Sequence, residues 1–170
     1  MDLSEQDLKK IKSVHVMLKM PIWILERETN RVLKSYKSIY KHPISYEFKE
    51  KNISDEVVRF YSGMLNEIFL CLWYQDVRIV IGAFRINNVT STEFSHVYDN
   101  LTPENKKILS EKECWEYYSS LPVYPLGDIR DYLILLGFLF DMNLEEIYSE
   151  ELHKQVGGNQ QKIQHMRHSG

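Results

Sequence analysis

Apolar positions along the chain fall into two kinds of pattern, and the boundaries between them predict the elements. Residues 4–19 carry Leu8, Ile11, Val14, His15 and Leu18 at helical spacing, with His15 at the edge of that face. Ser4 is placed to cap this helix, and Glu5 and Asp7 in its first turn suit the positive end of the helix dipole. Pro21 ends it. The β-branched and aromatic run Ile22-Trp23-Ile24-Leu25, the polar turn Glu28-Thr29-Asn30 and the return from Arg31 to Tyr36 read as a hairpin. A third short strand is expected over 44–48, where apolar and polar residues alternate after Pro43. A short helix is expected over 54–65, with Ser54 as its cap.

The strongest strand signal is the pair Ile68–Tyr74 and Val77–Phe84, joined at Gln75-Asp76. Ile68, Leu70 and Leu72 alternate with Phe69, Cys71 and Trp73, so both faces of the first strand are apolar. Such a strand belongs at or near the centre of its sheet, covered on both sides. Gly82 suggests a bulge or a close backbone approach. Residues 86–101 then read as a polar connection with aromatic islands at Phe94 and Tyr98. Thr102-Pro103 starts a helix that extends to Ser119. Leu121-Pro122-Val123-Tyr124-Pro125 is extended. A helix over 128–141 follows, apolar nearly all round and therefore expected to be covered on more than one side. A last short helix is expected over 144–154, and Gly157-Gly158 breaks it. Strands joined by short turns make this an α+β chain with an antiparallel sheet of about five strands, flanking helices and a C-terminal helical segment. Residues 1–156 are expected to form one domain, and 157–170 a linker or tail.

Composition narrows the function. The chain has 170 residues and a net charge of −3, and its lysines and arginines are dispersed among acids. That balance argues against a nucleic-acid surface covering the domain. No signal peptide is visible and no apolar run is long enough to span a bilayer, so a cytosolic protein is expected. Cys71 and Cys114 sit in apolar contexts and form no CxxC pair, as core cysteines do. The chain contains no P-loop, GxGxxG, HExxH or GxSxG. His165 and His168 have ligand spacing but no third donor nearby in sequence. Glu145-Glu146 and Glu150-Glu151 read as solvated pairs. No metal, cofactor or catalytic residue is expected.

Aromatics carry the richer signal. Trp23, Phe69, Trp73 and Phe84 all lie on predicted strands. Plain core packing accounts for them most simply, and the sharper reading is that they wall a small-molecule cavity between the sheet and its covering helices.

Three segments resemble the N-terminal domain of a group of Firmicute AraC-family transcription regulators, including those associated with YSIRK-type surface antigens. The first is the leading helix followed by Pro21-Ile22-Trp23-Ile24-Leu25, like the "IPIYLLD" opening of those domains. The second is the hairpin from Ile68 to Arg85, whose Ile81-Gly82-Ala83-Phe84-Arg85 is similar to their "IGPF" ending, with Ala83 where a proline is usual. The third is the segment from Tyr117 to Leu126, similar to "YYxxLPxxPL", with the apolar helix behind it. The resemblance spans most of residues 5–155. It implies a PAS- or GAF-like sensor domain that responds to a small-molecule effector and forms a homodimer. Leu135 and Phe138 of the apolar helix are the interface candidates, and DNA is contacted only through a separate helix-turn-helix part that this chain lacks. A stand-alone interaction module that binds a partner through the apolar helix, or a small enzyme with an unrecognised site, are the competing readings.

Overall fold

Each helix of the computed structural model, which describes residues 3–36 and 58–142, begins where the sequence supplies a side-chain cap, with one exception. Helix α1 (Glu5–Leu18) starts in a capping box: the Ser4 hydroxyl accepts from the Asp7 amide while the Asp7 carboxylate accepts from the Ser4 amide. It stops at Lys19, which turns left-handed at φ 55° and returns its N–H to the His15 carbonyl. His15 Nδ1 lies 2.7 Å from the Met20 carbonyl oxygen. The Thr90, Thr102 and Ser110 hydroxyls cap α2 (Ser91–Asp99), α3 (Pro103–Ile108) and α4 (Glu111–Ser120) by accepting from the Glu93, Asn105 and Glu113 amides. Helix α5 (Leu126–Phe140) is the exception, opening behind Pro125 without a side-chain cap.

Five strands form one antiparallel sheet: β1 (Ile22–Glu26), β2 (Val32–Tyr36), β3 (Val58–Ser62), β4 (Ile68–Tyr74) and β5 (Val77–Phe84), in the order β2-β1-β5-β4-β3. The expected α+β class with a five-stranded antiparallel sheet is therefore present. β4 lies inside the sheet between β5 and β3, as its two apolar faces require. β5 is the central strand and is buried throughout.

The two faces have different covers. One presents Ile22, Ile24, Phe60, Leu70, Leu72, Ile79 and Ile81 to α1 and α5, which supply Ile11, Val14, Leu18, Ile129, Leu133 and Leu136. Complete burial of such side chains contributes about 1.5–3 kcal/mol each, so this layer is the main core. Helices α2 to α4 form a second cluster with Leu65 of the β3–β4 turn, centred on Phe94, Cys114, Tyr117 and Tyr118. The second sheet face carries Leu25, Phe69, Cys71, Val80 and Ala83, with Trp23, Tyr61 and Leu121 against them. Leu121 joins that face to the helical cluster.

Three expectations need correction. Residues 58–62, expected as part of a helix over 54–65, form β3. Val58 and Phe60 point into the main core, and Arg59 and Tyr61 lie on the other face, opposite Cys71 and Phe69. Alternation over five residues was overshadowed by the capping signal at Ser54, and pairing with β4 decided the outcome. The polar connection over 86–101 contains α2, which Thr90 caps and Phe94 and Val97 anchor. The helix expected over 103–119 is two helices. Leu109 turns extended between them and buries its side chain, its carbonyl accepts from the Tyr98 hydroxyl at 2.6 Å, and Ser110 restarts the helix as a cap. The strand expected over 44–48, the helix over 144–154, the tail 157–170 and the residues His165 and His168 lie outside the described residues.

Candidate functional site

Alternation along β1, β3, β4 and β5 places one side chain of every pair on the second sheet face, and those side chains are mainly aromatic or cationic. Across the strands, Arg59 stands opposite Cys71, Cys71 opposite Val80, and Val80 opposite Trp23. In the next row Trp73 stands opposite Arg78, and Arg78 opposite Leu25. Tyr61 stands opposite Phe69. Among the described strands this face carries two guanidinium groups and no carboxylate.

Three of the four residues singled out from sequence meet here. Trp23 and Phe69 approach with ring centroids 6.3 Å apart. Two guanidinium groups lie over the Trp73 ring, Arg78 at 4.0 Å and Arg27 at 4.7 Å from the ring centroid. Arg78, 4% exposed in the central strand, also donates through Nη1 to Asn30 Oδ1 at 2.8 Å. That bond ties it to the β1–β2 turn. Arg59 stacks over Tyr61 at 5.4 Å.

Phe84 lies on the opposite face. The pairing of β4 with β5 slips between Ile68 and Phe69, where Ile68 pairs with Phe84 and Phe69 with Gly82. The extra residue sends Ala83 to the aromatic face and Phe84 into the main core. There Phe84 borders a void of about 20 Å³ together with Leu18, Phe60, Tyr124, Leu133 and Leu136, lined by apolar atoms alone. A void of that size holds about one water-sized sphere.

Burial pushes the Cys71 thiol up to about 12, against the pull of Arg78, which favours the protonated thiol at neutral pH. Burial likewise raises the Cys114 thiol. Among the described residues no group of three His, Cys, Asp or Glu side chains is arranged to hold a metal ion, and no helix is long and apolar enough to cross a membrane.

Arg85, which follows β5, fixes the helical cluster to the sheet. Its side chain donates to the Leu121 carbonyl from Nε at 3.3 Å and from Nη2 at 3.0 Å, and Nη2 reaches the Ser119 carbonyl at 3.2 Å. Its backbone N–H donates to Pro122, and its carbonyl accepts from Tyr124. One residue thus satisfies the carbonyls at the end of α4 and holds the extended segment that leads into α5.

Helix α5 buries Ile129, Leu133, Leu136 and Phe140 against the sheet and leaves a second apolar stripe outside: Ile134 is 46% exposed, Leu135 37% and Phe138 85%. Both interface candidates, Leu135 and Phe138, are therefore exposed on α5. Arg59, Tyr61, Arg78 and Arg27 were not singled out from sequence. For Arg59 and Tyr61 the available signal was their alternation with Val58 and Phe60. For Arg78 it was a lone charge inside an apolar run, which marks a cation that has found partners.

Compared with known proteins, the chain matches no family model, no curated protein and no solved structure.

Proposed function

We propose that this domain is the signal-sensing and dimerisation part of a cytosolic AraC-type transcription regulator, contacting DNA only through a separate helix-turn-helix part. The observation that carries the reading is the stripe Ile134, Leu135 and Phe138 on α5. Among the described residues nothing covers Phe138, 85% exposed on a helix whose inner face already closes the core. A second copy of the chain covers it, because a two-fold operator is read by a two-fold protein. The antiparallel sheet with flanking helices suits a PAS- or GAF-like sensor, and its second face, rich in aromatic side chains, is where an effector sits.

Sedimentation velocity on the full chain and on Phe138→Glu tests the reading. The parent chain is expected to sediment as a dimer at micromolar concentration through an interface of roughly 1,200–2,000 Å². Phe138→Glu is expected to be a folded monomer, with stability within about 0.5 kcal/mol of the parent because the site is a surface one. A parent chain that stays monomeric at high micromolar concentration ends the proposal. So does a Phe138→Glu variant that stays dimeric.

A further inference from the structure

We infer that α1 completes the interface whose apolar stripe lies on α5, with Lys9 of one copy meeting Asp131 of a second copy of this chain. The inference rests on the reading of this domain as a dimer and names the surface and the register that the second copy takes.

Area sets the first requirement. A stable interface buries roughly 800 Å² on each partner. One aromatic side chain buries about 150–250 Å², so Phe138 with Ile134 and Leu135, the latter two less than half exposed, falls short of it. A neighbouring element must contribute. Helix α1 carries the other exposed apolar pair on these two helices, with Val16 64% exposed and Met17 41%. Both helices cover the same sheet face, in antiparallel directions. At one end the Tyr124 hydroxyl, just ahead of α5, donates to the Leu18 carbonyl in the last turn of α1 at 2.6 Å. At the other end Tyr74 bonds Asp7 in the first turn of α1, and its ring meets Phe140 at the end of α5, 4.8 Å between centroids.

The outward stripes of the two helices match in spacing and are opposite in charge. Asp131, Ile134 and Phe138 recur at i, i+3 and i+7 on α5, and Lys9, Lys12 and Val16 recur at the same spacing on α1; all six are exposed. None of the three charges makes an ion pair among the described residues. Because the helices are antiparallel, the lysines of α1 lie towards the end of the layer where α5 carries Phe138, and Asp131 lies towards the end where α1 carries Val16. A two-fold axis that packs α5 antiparallel on its copy reverses that order. It brings Asp131 of the second copy to the Phe138 end, beside Lys9, and symmetry repeats the pair at the other end. The apolar stripes are then buried between two ion pairs, and charge fixes the register in which the copies meet.

Zero-length carbodiimide cross-linking of the full chain, mixed from unlabelled and heavy-isotope-labelled copies, tests the contact. Mass spectrometry of the digest is expected to show Lys9 joined to Asp131 in peptides with one labelled and one unlabelled half. Sedimentation equilibrium gives the second readout. The dimer is expected to weaken as salt rises from about 0.05 to about 0.5 M. Lys9→Glu and Asp131→Lys are each expected to weaken it by about tenfold or more, because symmetry places the like charges in the interface twice. The double variant is expected to recover most of that loss. Circular dichroism checks that each variant folds. A Lys9 that cross-links only within its own chain overturns the inference, since a segment of the same chain then covers α1. A dimer that Phe138→Glu separates, but that salt, Lys9→Glu and Asp131→Lys leave unchanged, overturns it too and leaves the dimer reading standing. A parent that stays monomeric at high micromolar concentration overturns both.

Discussion

Replacing Gly82 with alanine tests the bulge that separates the two faces of the sheet. Gly82 has φ +153°, a backbone setting that L side chains rarely adopt. A Cβ there meets Phe69 Cδ1 at 2.8 Å, the Ile68 carbonyl oxygen at 2.9 Å and Phe69 Cα at 3.1 Å. The Phe69 ring can swing aside. The Ile68 oxygen and the Phe69 Cα are backbone in β4, and they retreat only if the β4–β5 pairing shifts. Strain at the special φ costs about 1–3 kcal/mol, and overpacking against backbone adds about 1–3 kcal/mol. The two costs overlap in part, so Gly82→Ala is expected to lose about 2–5 kcal/mol. In a domain of this size that lowers Tm by roughly 5–15 °C. Gly127, in the first turn of α5, is the control, because a Cβ there meets nothing within 4 Å. Gly127→Ala is expected to gain about 0.5–1 kcal/mol from the restricted unfolded chain and the better helix former. Thermal and urea unfolding followed by far-UV circular dichroism measure both. A Gly82→Ala protein as stable as the parent, or two glycine variants that move in the same direction, would falsify this account of the bulge.

Two further perturbations probe the packing on the other face. The Tyr74 hydroxyl donates to Asp7 Oδ1 at 2.6 Å, and this bond, ahead of those from Ser4, holds the Asp7 carboxyl below its ordinary range against the opposing effect of burial. Tyr74→Phe is expected to cost about 1–2 kcal/mol at pH 7. Because the folded Asp7 value is depressed, the stability it contributes is present above the unfolded value of about 3.9 and is lost as pH falls through the folded one. The gap between parent and variant should therefore narrow in urea titrations run from pH 7 down to pH 3, and a constant gap refutes the assignment. The same bond pushes Tyr74 up to about 12, so its share is complete below about pH 10 and lost as pH rises through the folded value. Leu133→Ala enlarges the existing void of about 20 Å³, so a loss of about 3–5 kcal/mol is expected. Xenon under pressure should restore part of it, and a loss below about 2 kcal/mol would mean that the site collapses around the missing side chain.

Most elements were legible in the sequence because their signals are local. Ser4 capping a helix with Leu8, Ile11, Val14 and Leu18 on one face is a statement about neighbours within two or three turns. The doubly apolar run Ile68–Tyr74 announced an interior strand, since no other environment accommodates both of its faces. Long-range structure decided the rest. Residues 58–62 form a strand because β4 offers them a ladder, which no window of five residues reveals. Leu109 breaks a helix because Tyr98, eleven positions away, binds its carbonyl and the α2–α4 cluster buries its side chain. The candidate site shows the same division. Aromatic residues on strands could be read directly, but the face each occupies depends on register, and one bulged residue at Gly82 parts Phe84 from Trp23, Phe69 and Trp73. Helix α5 is apolar nearly all round in sequence, so sequence alone could not choose which side is core. The sheet took Ile129, Leu133, Leu136 and Phe140, and Phe138 was left outside because a helix of 3.6 residues per turn cannot turn every apolar residue towards one layer.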